Sequence, residues 1–61
     1  MSQEDVIRFL MEHKGWFTVR EIADDLKVPY GRINDNCRRL RRSGMVLVQF
    51  TLPMRYHNKN A

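Results

Sequence analysis

From Thr18 to Val46 the chain reads TVREIADDLKVPYGRINDNCRRLRRSGMV, with apolar side chains at Val19, Ile22, Ala23, Leu26, Val28, Ile33, Cys37, Leu40, Met45 and Val46. Steps of three and four residues return side chains to one helix face, so this spacing predicts two short helices, a tight turn, and then the start of a strand. The first of the two opens on Thr18, with Glu21 three residues later. In that pattern each side chain satisfies a free backbone N–H of the other residue. The helix is expected to end at Leu26-Lys27-Val28. Pro29 then opens the next helix, at a position where its missing N–H costs nothing.

This pattern resembles the helix-turn-helix of the winged-helix superfamily, the type found in the multiple-antibiotic-resistance and arsenic-repressor classes of regulator. The resemblance covers the helix pair directly and nearly all of the chain by topology. It implies an α+β winged helix-turn-helix: a helix, a short strand, the two helices above and a C-terminal two-stranded hairpin, the wing. It also implies that the third helix enters a groove of double-stranded DNA and reads bases with its first two turns. In this sequence those positions are Tyr30, Gly31, Arg32, Asn34, Asp35 and Arg38.

Charge points the same way independently. Residues 1–28 hold four basic side chains against six acidic ones, a net of −2, whereas residues 29–61 hold seven basic ones against Asp35 alone, a net of +6. Such asymmetry in so short a chain is the electrostatic footprint of a nucleic-acid binder. Eight of the eleven cations are Arg, whose planar fork pairs bidentately with phosphate or with guanine O6 and N7.

The rest of the chain fills in the fold. A first helix is expected from Gln3 to His13, with Ser2 as N-cap, Glu4 and Asp5 at its positive end and Gly15 as C-cap. Val6, Ile7 and Leu10 form its core stripe. At ~100° per residue, Phe9 lies about 60° to one side of that stripe and Met11 about 90° to the other. This apolar arc is wider than one core contact covers, so Phe9 or Met11 is expected on a homodimer surface, with Trp16, Phe50 and Tyr56 adding apolar area. A two-fold dimer sets two third helices about one DNA turn apart, ~34 Å. Trp16-Phe17 reads as a short extended link, and the third helix runs from Pro29 to Arg42, closed by Ser43-Gly44. Met45 to Thr51 alternates as a strand with Val46, Val48, Phe50 and Leu52 on one side, Leu52-Pro53 turns, and Met54 to His57 returns. Asn58 to Ala61 is polar and reads as a flexible tail.

On the third helix, Gly31, Arg32, Asp35, Arg38, Arg39 and Arg42 lie opposite the Ile33/Cys37/Leu40 stripe, with Asn34 on the flank. This face suits a major groove. Asn34 suits adenine, Arg32 and Arg38 suit guanine, and Gly31 lets the helix start approach the sugar-phosphate wall. Tyr30 sits beside the core edge and reads first as a packed side chain, with its hydroxyl in reach of phosphate. Asp35 departs from the resemblance, which favours a base or a small hydroxyl there. Its expected role is pairing with Arg32, Arg38 and Arg39 one turn away, the other being to accept from a cytosine amine. Arg41 and Arg42 complement the negative helix end, where they read equally as caps and phosphate clamps or as base readers, and Arg55 on the wing reads as a phosphate contact. The wing tip, Thr51-Leu52-Pro53, lacks the cations that minor-groove wings use.

Several functions are disfavoured. A single cysteine allows no intrachain disulfide and suits a reducing cytosol, and Cys37 itself reads as a small buried hydrophobe. Neither a cysteine/histidine cluster with metal-ligand spacing nor a signal peptide nor a membrane-length apolar run is present. Catalysis needs a nucleophile, a base and an orienting group in a cleft, which three helices and a hairpin do not offer. The sequence therefore predicts a single cytoplasmic domain over residues 1–61 that binds double-stranded DNA as a homodimer, with no cofactor, no metal and no small-molecule substrate. Its rival is a protein-interaction module working through the apolar wing and the first helix. Six Arg and one acid between residues 29 and 55 argue against that rival.

Overall fold

Thr18 and Glu21 close the capping box in both directions in a computed structural model of the chain, which describes residues 3–59. The Glu21 N–H donates to Thr18 Oγ1 at 3.2 Å, and the Thr18 N–H donates to Glu21 Oε1 at 2.8 Å. A cap of this kind is worth about 0.5–2 kcal/mol, which matters for a helix of two turns. The elements are α1 (Gln3–Glu12), β1 (Phe17–Thr18), α2 (Val19–Leu26), α3 (Tyr30–Arg42), β2 (Val46–Gln49) and β3 (Arg55–Asn58). The three strands form one antiparallel sheet in the order β1-β3-β2, with Phe17 opposite Tyr56 and Val48 opposite the same tyrosine from the other side. Three helices and a β-hairpin make this an α+β winged helix-turn-helix.

The turn of the helix pair is set by Lys27, whose φ of 57° puts it in the left-handed region at the end of α2. The Val28 N–H then donates back to the Ala23 carbonyl at 3.1 Å. Pro29 falls one residue earlier in the next helix than the sequence predicts. It is the N-cap and not the first helical residue, with extended ψ of 141°, and its carbonyl accepts from Arg32 and Ile33. At the other end of α3 Ser43 supplies the cap, its Oγ donating to the Arg39 and Leu40 carbonyls at 3.0 and 3.2 Å. Gly44, at φ 74°, takes the left-handed position that follows. Serine and glycine thus satisfy the helix end, and Arg41 and Arg42 are not its caps.

The core joins Val6, Phe9 and Leu10 of α1, Val19, Ile22 and Ala23 of α2, Ile33, Cys37 and Leu40 of α3, and Val46 and Tyr56 of the sheet. Two residues expected on the surface are inside it. Phe9 is only 5 % exposed, because the chain turns back after α1 and brings Phe17 edge-on to its ring at 5.1 Å. His13 stacks on the Phe9 ring at 4.1 Å, beside Phe17, and is fixed there through Nδ1, 2.9 Å from the Phe9 carbonyl. Tyr56 is buried because β3 is the central strand. Phe9 therefore does not belong to an outer face of α1. Met11 is exposed and Ile7 is half-buried.

The wing also differs from its sequence pattern. Pairing ends at Gln49 opposite Arg55, so Val46 and Val48 face the core while Phe50 and Leu52 are carried out into solvent. The tip is held by Thr51, whose hydroxyl donates to the Pro53 carbonyl at 2.8 Å and accepts from Arg55 at 3.5 Å. The return strand starts and ends one residue later than expected, and Asn58 pairs with Val46 inside the sheet rather than beginning a tail. The expected N-cap Ser2 lies outside the described residues, as do residues 60–61.

Candidate nucleic-acid interface

Because Ile33, Cys37 and Leu40 are drawn into the core, the remaining residues of α3 divide between its outer face and one flank. The outer face carries Asp35, Arg38, Arg39 and Arg42, all exposed, around a shallow depression of about 200 Å³. Gly31 and Arg32 are exposed near the helix start, and the position a Gly31 Cβ would take meets nothing within 4 Å. The start of α3 is therefore free to approach a flat or convex surface.

The flank faces the wing. Tyr30 and Asn34 line a cleft of about 440 Å³ whose other walls are Thr18, Val19 and Arg20 at the start of α2 and Pro53, Met54 and Tyr56 of the hairpin. Tyr30 is half-exposed rather than packed, and the Arg20 guanidinium carbon lies 5.9 Å from its ring centroid. That distance is within the range of a cation–π contact. Arg41, on the same side of α3, is half-buried and donates to Met54 Sδ at 3.6 Å, tethering the hairpin to the helix. Burial pushes the Tyr56 hydroxyl above its ordinary range, Cys37 adds to the rise, and Arg41 opposes it.

The nine candidate residues are thus not one patch. Asp35, Arg38, Arg39 and Arg42 are brought together; Tyr30 and Asn34 sit in the cleft; Gly31 and Arg32 lie between; Arg55 stands on β3, half-buried, opposite Thr18 and Gln49. The pairing expected for Asp35 is not formed: among the described residues it makes no ion pair within 4.0 Å. At an exposed helix position such pairs contribute only about 0.2–0.5 kcal/mol, and the arginine side chains extend into solvent instead.

Two residues escaped the sequence analysis. Arg20 enters the sequence reading only as one of the four cations of residues 1–28, although its place two residues after the Thr18 cap puts it at the start of α2. Asn36 is 94 % buried with no partner for its Nδ2 among the described residues; an unmet donor of this kind costs about 1–3 kcal/mol. Its signal was its spacing, three residues after Ile33 and four before Leu40. Cys37 is a core residue as expected, and burial pushes its thiol up to about 12. Among the described residues no group of His, Cys, Asp and Glu is placed to hold a metal ion, and no helix is long and apolar enough to cross a membrane.

A helix pair whose second member presents an arginine-lined outer face, flanked by a β-hairpin, defines a winged helix-turn-helix of the regulator type. The family model described as "Sugar-specific transcriptional regulator TrmB" matches residues 5–61, and the chain belongs to that family. The TrmB family consists of transcriptional regulators and is not an enzyme family, and membership supports a DNA-binding regulatory role. No curated protein and no solved structure matches the chain.

Proposed function

We propose that the chain is a cytoplasmic, sequence-selective binder of double-stranded DNA that controls transcription as a homodimer, with α3 in the major groove. The observation that carries this reading is the outer face of α3, where Arg32, Arg38, Arg39 and Arg42 are all exposed and Asp35 is the lone acid. A major groove ~12 Å wide admits a helix. In this reading Arg32, Arg38 and Asn34 address base edges, with Asp35 as acceptor for a cytosine amine now that no arginine pairs with it. Gly31 lets the backbone close in, and Tyr30, Arg39, Arg42 and Arg55 hold phosphates. Met11, with Ile7 and Met45 beside it, offers the apolar surface for the second copy.

One feature favours a second reading for the wing alone. Phe50 and Leu52 project from its tip with no basic neighbour between them, which suits a protein contact better than a minor groove. Titration of random-sequence duplex at several salt concentrations tests the main reading. If each chain neutralises about four phosphates, log K falls with log salt at a slope near −3.6 per chain. Selection from the same random pool is expected to enrich a palindrome. A flat salt response, or no binding at low salt, refutes DNA binding and leaves the protein-interaction reading.

A further inference from the structure

The cleft between the start of α2, the start of α3 and the hairpin has a composition of its own. Three hydrogen-bond donors open onto it: the Arg20 guanidinium, the Tyr30 hydroxyl and the Asn34 amide. None of these side chains makes a hydrogen bond or ion pair within the described residues, the Arg20 contact with the Tyr30 ring apart. The opposite wall, Met54 with Pro53, is apolar. The first turn of α2 adds backbone N–H groups that no intrahelical carbonyl reaches, since the Thr18 hydroxyl caps only that of Glu21. The Glu21 carboxylate, the acid nearest this turn in sequence, is engaged by the Thr18 N–H.

We infer that this cleft is a seat for one phosphodiester of a bound DNA strand, with Arg20 as its principal cation and Tyr30 as the support that orients it. The inference rests on the DNA-binding reading but adds a residue and a site to it. A guanidinium held over a ring, as Arg20 is at 5.9 Å from the Tyr30 centroid, loses fewer degrees of freedom when it pairs with an anion, and its N–H fork remains free for two phosphate oxygens. Tyr30 and Asn34, one helical turn apart on α3, bound the same space. The apolar wall keeps water from one side of the pair, which strengthens it relative to an open surface contact. An anion seated here lies on the flank of α3 while the outer arginines face forward. The site thus fixes how the helix is rotated about its axis in the groove, a positioning role that carries no sequence preference of its own.

The test compares the wild-type chain with Arg20→Gln, Tyr30→Phe, Tyr30→Leu and, as a control cation remote from the cleft on α1, Arg8→Gln, on a fluorescent random-sequence duplex. Arg20→Gln is expected to make the salt slope shallower by about 0.9, one phosphate's worth. Its loss is expected to be the same on every sequence, with the thermal unfolding midpoint unchanged. Tyr30→Leu keeps the slope and weakens binding several-fold, whereas Tyr30→Phe isolates the hydroxyl with a smaller loss. Arg8→Gln leaves the slope as it is. Wild-type slope in Arg20→Gln, with duplex binding intact, overturns the phosphate seat and leaves the DNA reading standing. Absence of duplex binding by the wild-type chain overturns both. A parallel titration of the free chain with inorganic phosphate, read on the Asn34 side-chain amide resonances, separates the sources. Saturation at millimolar phosphate that Arg20→Gln abolishes, with no change in duplex slope, reassigns the cleft to a free phosphorylated ligand.

Discussion

Replacing Phe9 separates the two roles this side chain can have. On the outer face of α1 it would hold a dimer together; inside the core it holds the fold together. Phe9 is 5 % exposed, stacked on His13 at 4.1 Å and edge-on to Phe17 at 5.1 Å. Truncating a buried Phe to Ala costs about 3–5 kcal/mol, from lost transfer energy and the cavity left behind. Aromatic pairs add roughly 0.5–1.5 kcal/mol beyond area burial, so the upper half of that range is expected here. A chain of 61 residues has total stability of only about 3–9 kcal/mol, from roughly 0.05–0.15 kcal/mol per residue. Phe9→Ala is therefore expected to remove most of the stability and leave a chain largely unfolded at 37 °C. Phe9→Leu keeps an apolar side chain and loses only the ring contacts, a cost of about 1–2 kcal/mol and a melting point lower by roughly 4–16 °C. Urea denaturation followed by far-UV circular dichroism measures both. Sedimentation equilibrium on Phe9→Leu shows whether self-association changes. A Phe9→Ala variant that unfolds within 1 kcal/mol of wild type while its association weakens would refute the core assignment.

Two further outcomes follow from α3. Arg38→Ala is expected to weaken specific DNA binding by about 1–3 kcal/mol and relax preference at one base pair, while Arg42→Ala weakens all sequences alike; equal, sequence-independent losses in selection experiments would show that α3 only clamps the backbone. Burial holds the Cys37 thiol at about 12 against an ordinary 9.0, so the unfolded chain gives up its proton first. Stability is then fully present below pH 9 and falls as pH rises from there toward 12; the decline between pH 9 and 10 should be mostly removed in Cys37→Ala, leaving the smaller part that the raised Tyr56 hydroxyl contributes as pH approaches its ordinary 10.0. An aromatic disulfide reagent should label Cys37 of the native chain only at the rate of unfolding.

The helix pair was legible in the sequence because its signals are local. Thr18 and Glu21 form their cap within one turn, and Ile33, Cys37 and Leu40 keep the helical period without interruption. Phe9 was misread because its burial depends on the chain turning back after α1, so that Phe17 and His13 enclose a ring the periodicity places at the edge of the stripe. Tyr56 was misread for a related reason: β3 is covered on both sides only because β1 pairs with it, and a strand of two residues leaves almost no sequence signal. Phe50 and Leu52 continue the alternation of β2 in the sequence, yet the ladder stops at Gln49 and the pattern loses its structural meaning beyond it.

The candidate interface was legible only as a list. Charge and helical phase located the arginines of α3, because both are properties of one element. They left Arg20 out, because its relevance arises between elements: α2 and α3 cross so that the second residue of one reaches the first residue of the other. Summing charge over the first half of the chain made this harder, since Glu21 is engaged by the Thr18 N–H and the other acids there sit on other parts of α1 and α2. Asp24 and Asp25 are exposed near the far end of α2, one helix length from the cap beside which Arg20 stands. Net charge of a segment says little about the field at a given cleft when the segment folds into helices whose two ends face different surroundings. Arg41 makes the converse point. By composition it belongs with the arginines of the outer face, but its contact with Met54 directs it toward the hairpin. Of the neighbouring cations Arg38, Arg39, Arg41 and Arg42, the fold turns one inward to hold the wing and leaves three exposed on the outer face of α3.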